Sequence, residues 1–256
     1  MKILALDFDG VIAESSFEVF VVSWNTYLKL SQSKLIDRLF TFEQLDYFKN
    51  QTDFLNKFHY LRAYAKSADE LIVCFYLIEN NTKINSINEF KAQLDKYKDQ
   101  LESFWKEFYV QRDILQKDLD KWISLENVFP KIIDATNKLS QFYKIVILTN
   151  KNMAGVIPTA KHYGLKIEEK DIFDTSLGND KRKKLKIIKE KYNVEYEDIS
   201  FVDDVLENLE ITKPTGVKLF LATWYNKNKE HHKLAQEQGI TLLTEENFYI
   251  SLITLK

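Results

Sequence analysis

The residues able to do chemistry gather in three short motifs, each placed directly after an apolar run. Asp7-Phe8-Asp9-Gly10 follows Ile3-Leu4-Ala5-Leu6, Thr149-Asn150 follows Ile145-Val146-Ile147-Leu148, and Asp203-Asp204 follows Ile199-Ser200-Phe201-Val202. Asp7 and Asp9 lie two apart, which directs both side chains to one side of an extended chain. One carboxylate of such a pair can attack as a nucleophile while the other transfers a proton. Gly10 allows a sharp exit from the strand. If the three runs are neighbours, four carboxylates share a small volume. Two like charges about 4 Å apart repel by about 4 kcal/mol at an effective dielectric near 20. Such a cluster needs a cation or raised pKa values to persist. All-oxygen ligation suits a hard divalent ion, and a site open to water and phosphate suits magnesium. Taken singly, Asp-Gly is often only a turn and Asp-Asp only a helix cap; their joint placement after matched runs argues for a site.

The elements that must position these residues follow from the same runs. Four or five apolar residues without strict alternation suit strands buried on both faces, and Val217 to Thr223 reads as one more. Helical patterns lie between them. Lys131 to Tyr143 carries Ile132, Ile133, Leu139 and Phe142 on one side. Lys181 to Tyr192 carries Leu185, Ile188 and Tyr192, with Asn179 or Asp180 as its N-cap. Strands alternating with helices predict an α/β fold, a Rossmann-like, doubly wound parallel sheet. In such a sheet ligands bind outside the carboxyl ends of the strands, where Asp7, Asp9, Thr149, Asp203 and Asp204 stand.

Residues 16–127 read differently and are expected to form a helical domain inserted into a core made of residues 1–15 and 128–256. Phe17, Phe20, Val21, Trp24, Tyr27 and Leu28 share one helical face, and Ser86-Ile87-Asn88-Glu89 matches a capping box. From Ile87 onward, Phe90, Leu94, Tyr97, Leu101, Phe104 and Phe108 alternate spacings of three and four, which predicts one long helix running past Arg112. That seam suits either packing within the insertion or dimerisation, so monomer and homodimer both stay open.

Composition removes several classes. The 256 residues are 45% hydrophobic and 29% charged, enough apolar content for a core and too ordered a pattern for a disordered chain. A net charge of -2 gives no broad footprint for nucleic acid. Cys74 is the one cysteine, so neither an internal disulfide nor a CxxC metal site is available, and it reads as core. No apolar run is long enough to span a membrane, and Ile3 to Leu6 is too short for a signal-peptide core, which points to a soluble, cytoplasmic protein. The basic run Lys181, Arg182, Lys183, Lys184 and Lys186 reads mainly as a solvated helix face, yet cations in a first turn oppose the helix dipole. One of those lysines therefore makes sense if it faces a bound phosphate. The pair His231-His232 reads as surface. His59, Tyr60, Arg62 and Tyr64 suit helix packing better than contact with a substrate.

These residues together resemble the haloacid dehalogenase superfamily. Asp7-Phe8-Asp9-Gly10-Val11 is similar to its first motif, Leu148-Thr149-Asn150 to its second, and Val202-Asp203-Asp204 to its acidic fourth; Val11 stands where many members have Thr. The third motif is a lysine at or before a helix, and spacing to Leu185 and Val194 favours Lys181 over Lys184 and Lys183. The resemblance covers about residues 1–15 and 128–210. It implies a magnesium-dependent phosphomonoesterase in which Asp7 is the nucleophile and Asp9 the acid and base. It further implies that Thr149, Lys181 and Asn150 bind the phosphoryl group, and that Asp7, the Asp9 backbone carbonyl, Asp203 and Asp204 hold magnesium. Asp9 is similar to the phosphatases and phosphomutases, since halide-cleaving members lack it. The implied substrate is a small phosphorylated metabolite such as a sugar phosphate, phosphoglycolate or nucleotide, selected by the helical cap. A phosphomutase, a non-catalytic phosphate-ligand-binding protein and a dimeric scaffold are the competing readings.

Overall fold

A computed structural model of the protein describes residues 1–33 and 37–255. The chain divides into two compact units, Met1–Glu14 with Asn127–Lys256, and Ser15–Glu126. It begins with β1 (Ile3–Leu6) and β2 (Ala13–Glu14), then enters the helical unit with α1 (Ser16–Leu30), α2 (Leu45–Lys49), α3 (Thr52–Arg62), α4 (Leu71–Glu79), α5 (Ile87–Gln116) and α6 (Leu119–Ile123). The first unit resumes with β3 (Asn127–Val128), α7 (Pro130–Leu139), β4 (Lys144–Leu148), α8 (Met153–His162), β5 (Ile172–Phe173), α9 (Lys181–Tyr192) and β6 (Ile199–Asp203). It ends with α10 (Leu206–Thr212), β7 (Lys218–Ala222), α11 (Lys229–Glu237), β8 (Thr241–Leu243) and α12 (Phe248–Ile253).

The six-stranded sheet has the order β5-β4-β1-β6-β7-β8, and every pair in it is parallel. Its strands read as unbroken apolar runs because each face carries its own core. Leu4, Leu6, Ile145, Ile147 and Val202 pack into one layer, and Ile3, Ala5, Val146, Leu148 and Phe201 into the other. The register pairs Leu6 with both Ile147 and Val202, so Asp7, Leu148 and Asp203 stand level at the carboxyl edge. A short antiparallel ladder joins Ala13–Glu14 to Asn127–Val128. It ties together the two chain segments that flank the helical unit.

Three details differ from the sequence reading. The helix after Pro130 ends at Leu139, and Phe142 lies beyond it, 39% exposed, instead of on its buried face. Strands β5 and β8 were not expected, since two or three residues carry no readable periodicity. His231 is half-buried, with burial lowering its pKa, and His232 Nε2 lies 2.8 Å from the Asn226 carbonyl.

In the helical unit α5 spans 30 residues, capped by the Ser86 hydroxyl accepting the Glu89 amide at 3.3 Å. The reciprocal half of the box goes one residue further back, with Glu89 accepting the Asn85 amide. Its seam packs against α1 and α4 inside the unit: Phe90, Phe104 and Phe108 are buried, and Tyr97 stacks on Tyr76 at 4.2 Å. A second aromatic cluster centres on Phe20 and Trp24 of α1, with Phe58 and Phe75 against Phe20 at 5.4 and 6.4 Å. Cys74 is fully buried in α4. Among the described residues no helix is long and apolar enough to cross a membrane.

One buried ion pair crosses this unit. Arg112 on α5 meets Glu18 on α1 at 2.8 Å, with side chains 4% and 0% exposed, and its guanidinium lies 5.5 and 5.7 Å from the Phe108 and Trp122 rings. Removing one partner strands the other charge in an apolar interior, which costs about 3–5 kcal/mol. Arg112→Met should therefore lower the unfolding free energy by about that amount in urea titrations. A loss below about 1 kcal/mol would show that Glu18 finds its compensation elsewhere.

Candidate active site

The site is built outward from Asp7. Its backbone N–H donates to the Val202 carbonyl at 2.9 Å, extending the β1–β6 ladder one residue past the strand. The Asp7 carboxylate accepts the Phe8 N–H at 2.8 Å and faces the Lys181 ammonium at 3.1 Å. Beyond it the chain coils, and the Phe8 carbonyl accepts the N–H groups of Ile12 and Ala13 at 2.8 and 2.9 Å. Gly10 sits in that coil at φ +80°, and a Cβ there would lie 2.3 Å from the Asp204 carboxyl carbon. Gly10 is thus required twice, for its left-handed backbone and because Asp204 occupies the space of a side chain.

That close approach brings the first and last acidic motifs together. One carboxylate oxygen from each of Asp7, Asp203 and Asp204 lies within 4.8 Å of the others, and all three residues are buried. Asp203 is the most constrained, accepting the Asn208 side-chain amide at 3.0 and 3.2 Å and the Val205 N–H at 2.9 Å. Burial pushes its pKa up to about 7, with the Lys181 ammonium opposing the shift and the Asp7 charge adding to it. The Asn226 side chain donates to the Asp204 carbonyl at 2.7 Å and fixes the turn after β6. Three buried carboxylates gather here beside the Lys181 ammonium, with Lys184 also within reach of their charge, and an all-oxygen donor set of this kind fits a hard divalent cation.

Lys181 opens α9, with Asp180 as the N-cap and not Asn179. Its buried ammonium bridges Asp7 and Asp203, at 3.1 and 3.3 Å, and donates to the Leu148 carbonyl at 2.7 Å. Burial by itself would lower its pKa, but the two carboxylates together outweigh that and hold it above the ordinary lysine value. Lys183 is exposed. Lys184 departs from the expectation of a solvated face: it is fully buried and donates to the Thr149 carbonyl and, at 2.9 Å, to the Asn150 side-chain oxygen. Burial, and then the charge of Lys181, pull it down to about 7. The signal for it was present, because Lys181 and Lys184 share a helical face with Leu185 and Ile188.

Thr149 follows β4, its N–H donating to the Phe173 carbonyl at 3.1 Å. Its hydroxyl oxygen accepts the Lys151 N–H at 3.0 Å and keeps its own proton to donate. The Asn150 side chain is turned toward Lys184. Asp9 is half-buried, with one oxygen 3.2 Å from the Lys151 ammonium. Sequence reasoning missed Lys151, and it also missed Asp174, a buried carboxylate after β5 that accepts the N–H groups of Met153 and Ser176 at 2.8 and 3.1 Å.

Residues 1–214 of the chain match the family described as haloacid dehalogenase-like hydrolase. The chain belongs to that family. No curated protein sequence matches it. Among solved structures, a haloacid dehalogenase-like family hydrolase from Streptococcus pneumoniae superposes with a TM-score of 0.63 at 15% identity, covering 99% of this chain and 97% of the other. A predicted phosphoglycolate phosphatase from Haemophilus somnus gives 0.59 at 15% identity, over 99% and 98%. A hydrolase of the family from Deinococcus radiodurans, with bound phosphate and sodium, gives 0.56 at 13% identity, over 100% and 96%. At such identities these likenesses establish the fold, which this hydrolase shares over nearly its full length, and leave its chemistry to the site itself.

Because Gly10 makes room for Asp204, Gly10→Ala should displace that carboxylate and weaken divalent-cation binding by about 10- to 100-fold, as seen when groups supporting a metal ligand are removed. Magnesium titration by calorimetry reads this directly. An affinity equal to wild type would mean that Asp204 is not a ligand.

Proposed function

We propose that this hydrolase cleaves phosphate monoesters of a small metabolite, with Asp7 as the nucleophile and magnesium as the bound cation. The observation that carries the reading is the Asp7 carboxylate held between a buried lysine and two further buried carboxylates, with Asp9 two residues away. Two structural neighbours support it, since one is described as a phosphoglycolate phosphatase and another holds phosphate.

In this mechanism an oxygen of Asp7 attacks phosphorus. As the bond to the ester oxygen breaks, Asp9 gives its proton to that oxygen and the alcohol leaves. Asp9, now a carboxylate, takes a proton from water as the water oxygen attacks the aspartyl-phosphate. Inorganic phosphate departs and Asp7 is restored. Lys181 and the Thr149 hydroxyl donate to the phosphoryl oxygens, and Lys184 holds the Thr149–Asn150 turn by its two hydrogen bonds. Asp7, Asp203, Asp204 and the Asp9 carbonyl would hold magnesium, which when bound neutralises charge shared by the cluster and the phosphoryl group. Phosphoryl transfer asks mainly for such positioning and charge stabilisation. Substrate choice we assign to the helical unit.

Phosphate release from p-nitrophenyl phosphate and from 2-phosphoglycolate, with and without magnesium, tests the reading. Turnover should require the metal, and Asp7→Asn should fall below about one-thousandth of wild type, as nucleophile removal does in other covalent catalysts. An Asp7→Asn enzyme as fast as wild type would refute it, and an isomerised phosphosugar in place of free phosphate would make the protein a mutase.

A further inference from the structure

We propose that Lys151 is a positioning residue for the proton-transferring carboxyl group of Asp9, an assignment that rests on the phosphatase reading above. Lys151 stands outside the three motifs, yet its side chain is 0% exposed, against 21% for Asp9, and the two groups meet at 3.2 Å. A lysine is rarely taken out of water so completely unless an anion meets it. Asp9, by contrast, sits on a coil after the strand and keeps contact with solvent. A carboxyl group in such a place has several rotamers open to it, and proton transfer needs one of them.

Two features lock the lysine, and a third marks what its placement costs. Its own N–H donates to the Thr149 hydroxyl at 3.0 Å, so its backbone is tied to the second motif. Its stem crosses α8 at Gly155, where a Cβ would lie 2.8 Å from Lys151 Cε and 3.4 Å from Cγ. Glycine inside a helix is about 1 kcal/mol less favourable than alanine, so the slot is kept at a cost to α8. Finally, Lys151 directly precedes Asn152, the N-cap of α8, where the helix dipole disfavours a cation. The fold accepts both penalties and places the ammonium on Asp9. The contact then fixes the direction in which Asp9 presents its carboxyl group, as a hydrogen bond from the ammonium to the carbonyl oxygen of the protonated acid facing the ester oxygen, and as an ion pair once Asp9 is the carboxylate facing water.

The test compares two aryl esters of similar shape, p-nitrophenyl phosphate and phenyl phosphate, by kcat/KM, which reports phosphoryl transfer to Asp7. The nitrophenolate leaves without much help, whereas the phenolate needs the proton from Asp9. Lys151→Met should lose on the order of 10²-fold on phenyl phosphate, the size of a general-acid contribution, and less than about tenfold on the nitrophenyl ester. Gly155→Ala, which pushes the lysine stem aside while adding a better helix former, should show the same selectivity with an unfolding midpoint no lower than wild type. Equal losses on both esters, or none, would overturn the assignment. The Asp7→Asn control separates the two levels. If it stays active the phosphatase reading falls; if it is silent while Lys151→Met is unselective, only the role of Lys151 falls.

Discussion

Three carboxylates buried at one edge of a sheet can all stay charged only if positive charge is set among them. That requirement organises the α/β unit. Asp7 and Asp203 are brought level by the register of β1 and β6, and Asp204 is pressed against the Gly10 backbone, so the negative charge is concentrated by the main chain itself. Lys181 answers part of it, shared between Asp7 and Asp203. The remainder is what fits a divalent cation and a phosphoryl group, since a dianionic substrate approaches such a site only when its charge is met.

The same logic explains why two helices of this unit have a lysine at or just before their start, placed against their own dipoles. Lys181 opens α9 and Lys151 precedes the cap of α8, and each is buried on an aspartate of the first motif. Lys184, one turn into α9, has backbone and amide oxygens for partners, and burial, then the charge of Lys181, lowers its pKa. The three buried lysines thus meet different groups: Asp7, Asp9, and the turn after β4. Each helix start is sacrificed locally to place a cation where the strand ends need one.

Much of this was legible in the residues, for physical reasons that also mark where legibility stopped. Strands β1, β4 and β6 are buried on both faces, so they appear as unbroken apolar runs, and the acidic or hydroxyl residues directly after them fall on the carboxyl edge. The span of α9 and the length of α5 follow from periodicity and capping. Strands β5 and β8 are too short to leave a pattern, and Asp174 was lost with β5. A charged run on a helix reads as solvated, which concealed Lys184, although its spacing from Lys181 put it on the apolar side. Phe142 continued the pattern of α7 past the point where the helix stops. Lys151 gave no signal, because its partner is 142 positions away and only the fold joins them.

The central claim is that the phosphoryl group passes through Asp7. Acid quenching of the enzyme during turnover, borohydride reduction of the acyl phosphate and peptide mass analysis tests it most directly. Homoserine should replace aspartate at position 7 and at no other acidic residue. Reduction at a different carboxylate, or full turnover with position 7 unmodified under conditions that trap acyl phosphates, would contradict the account.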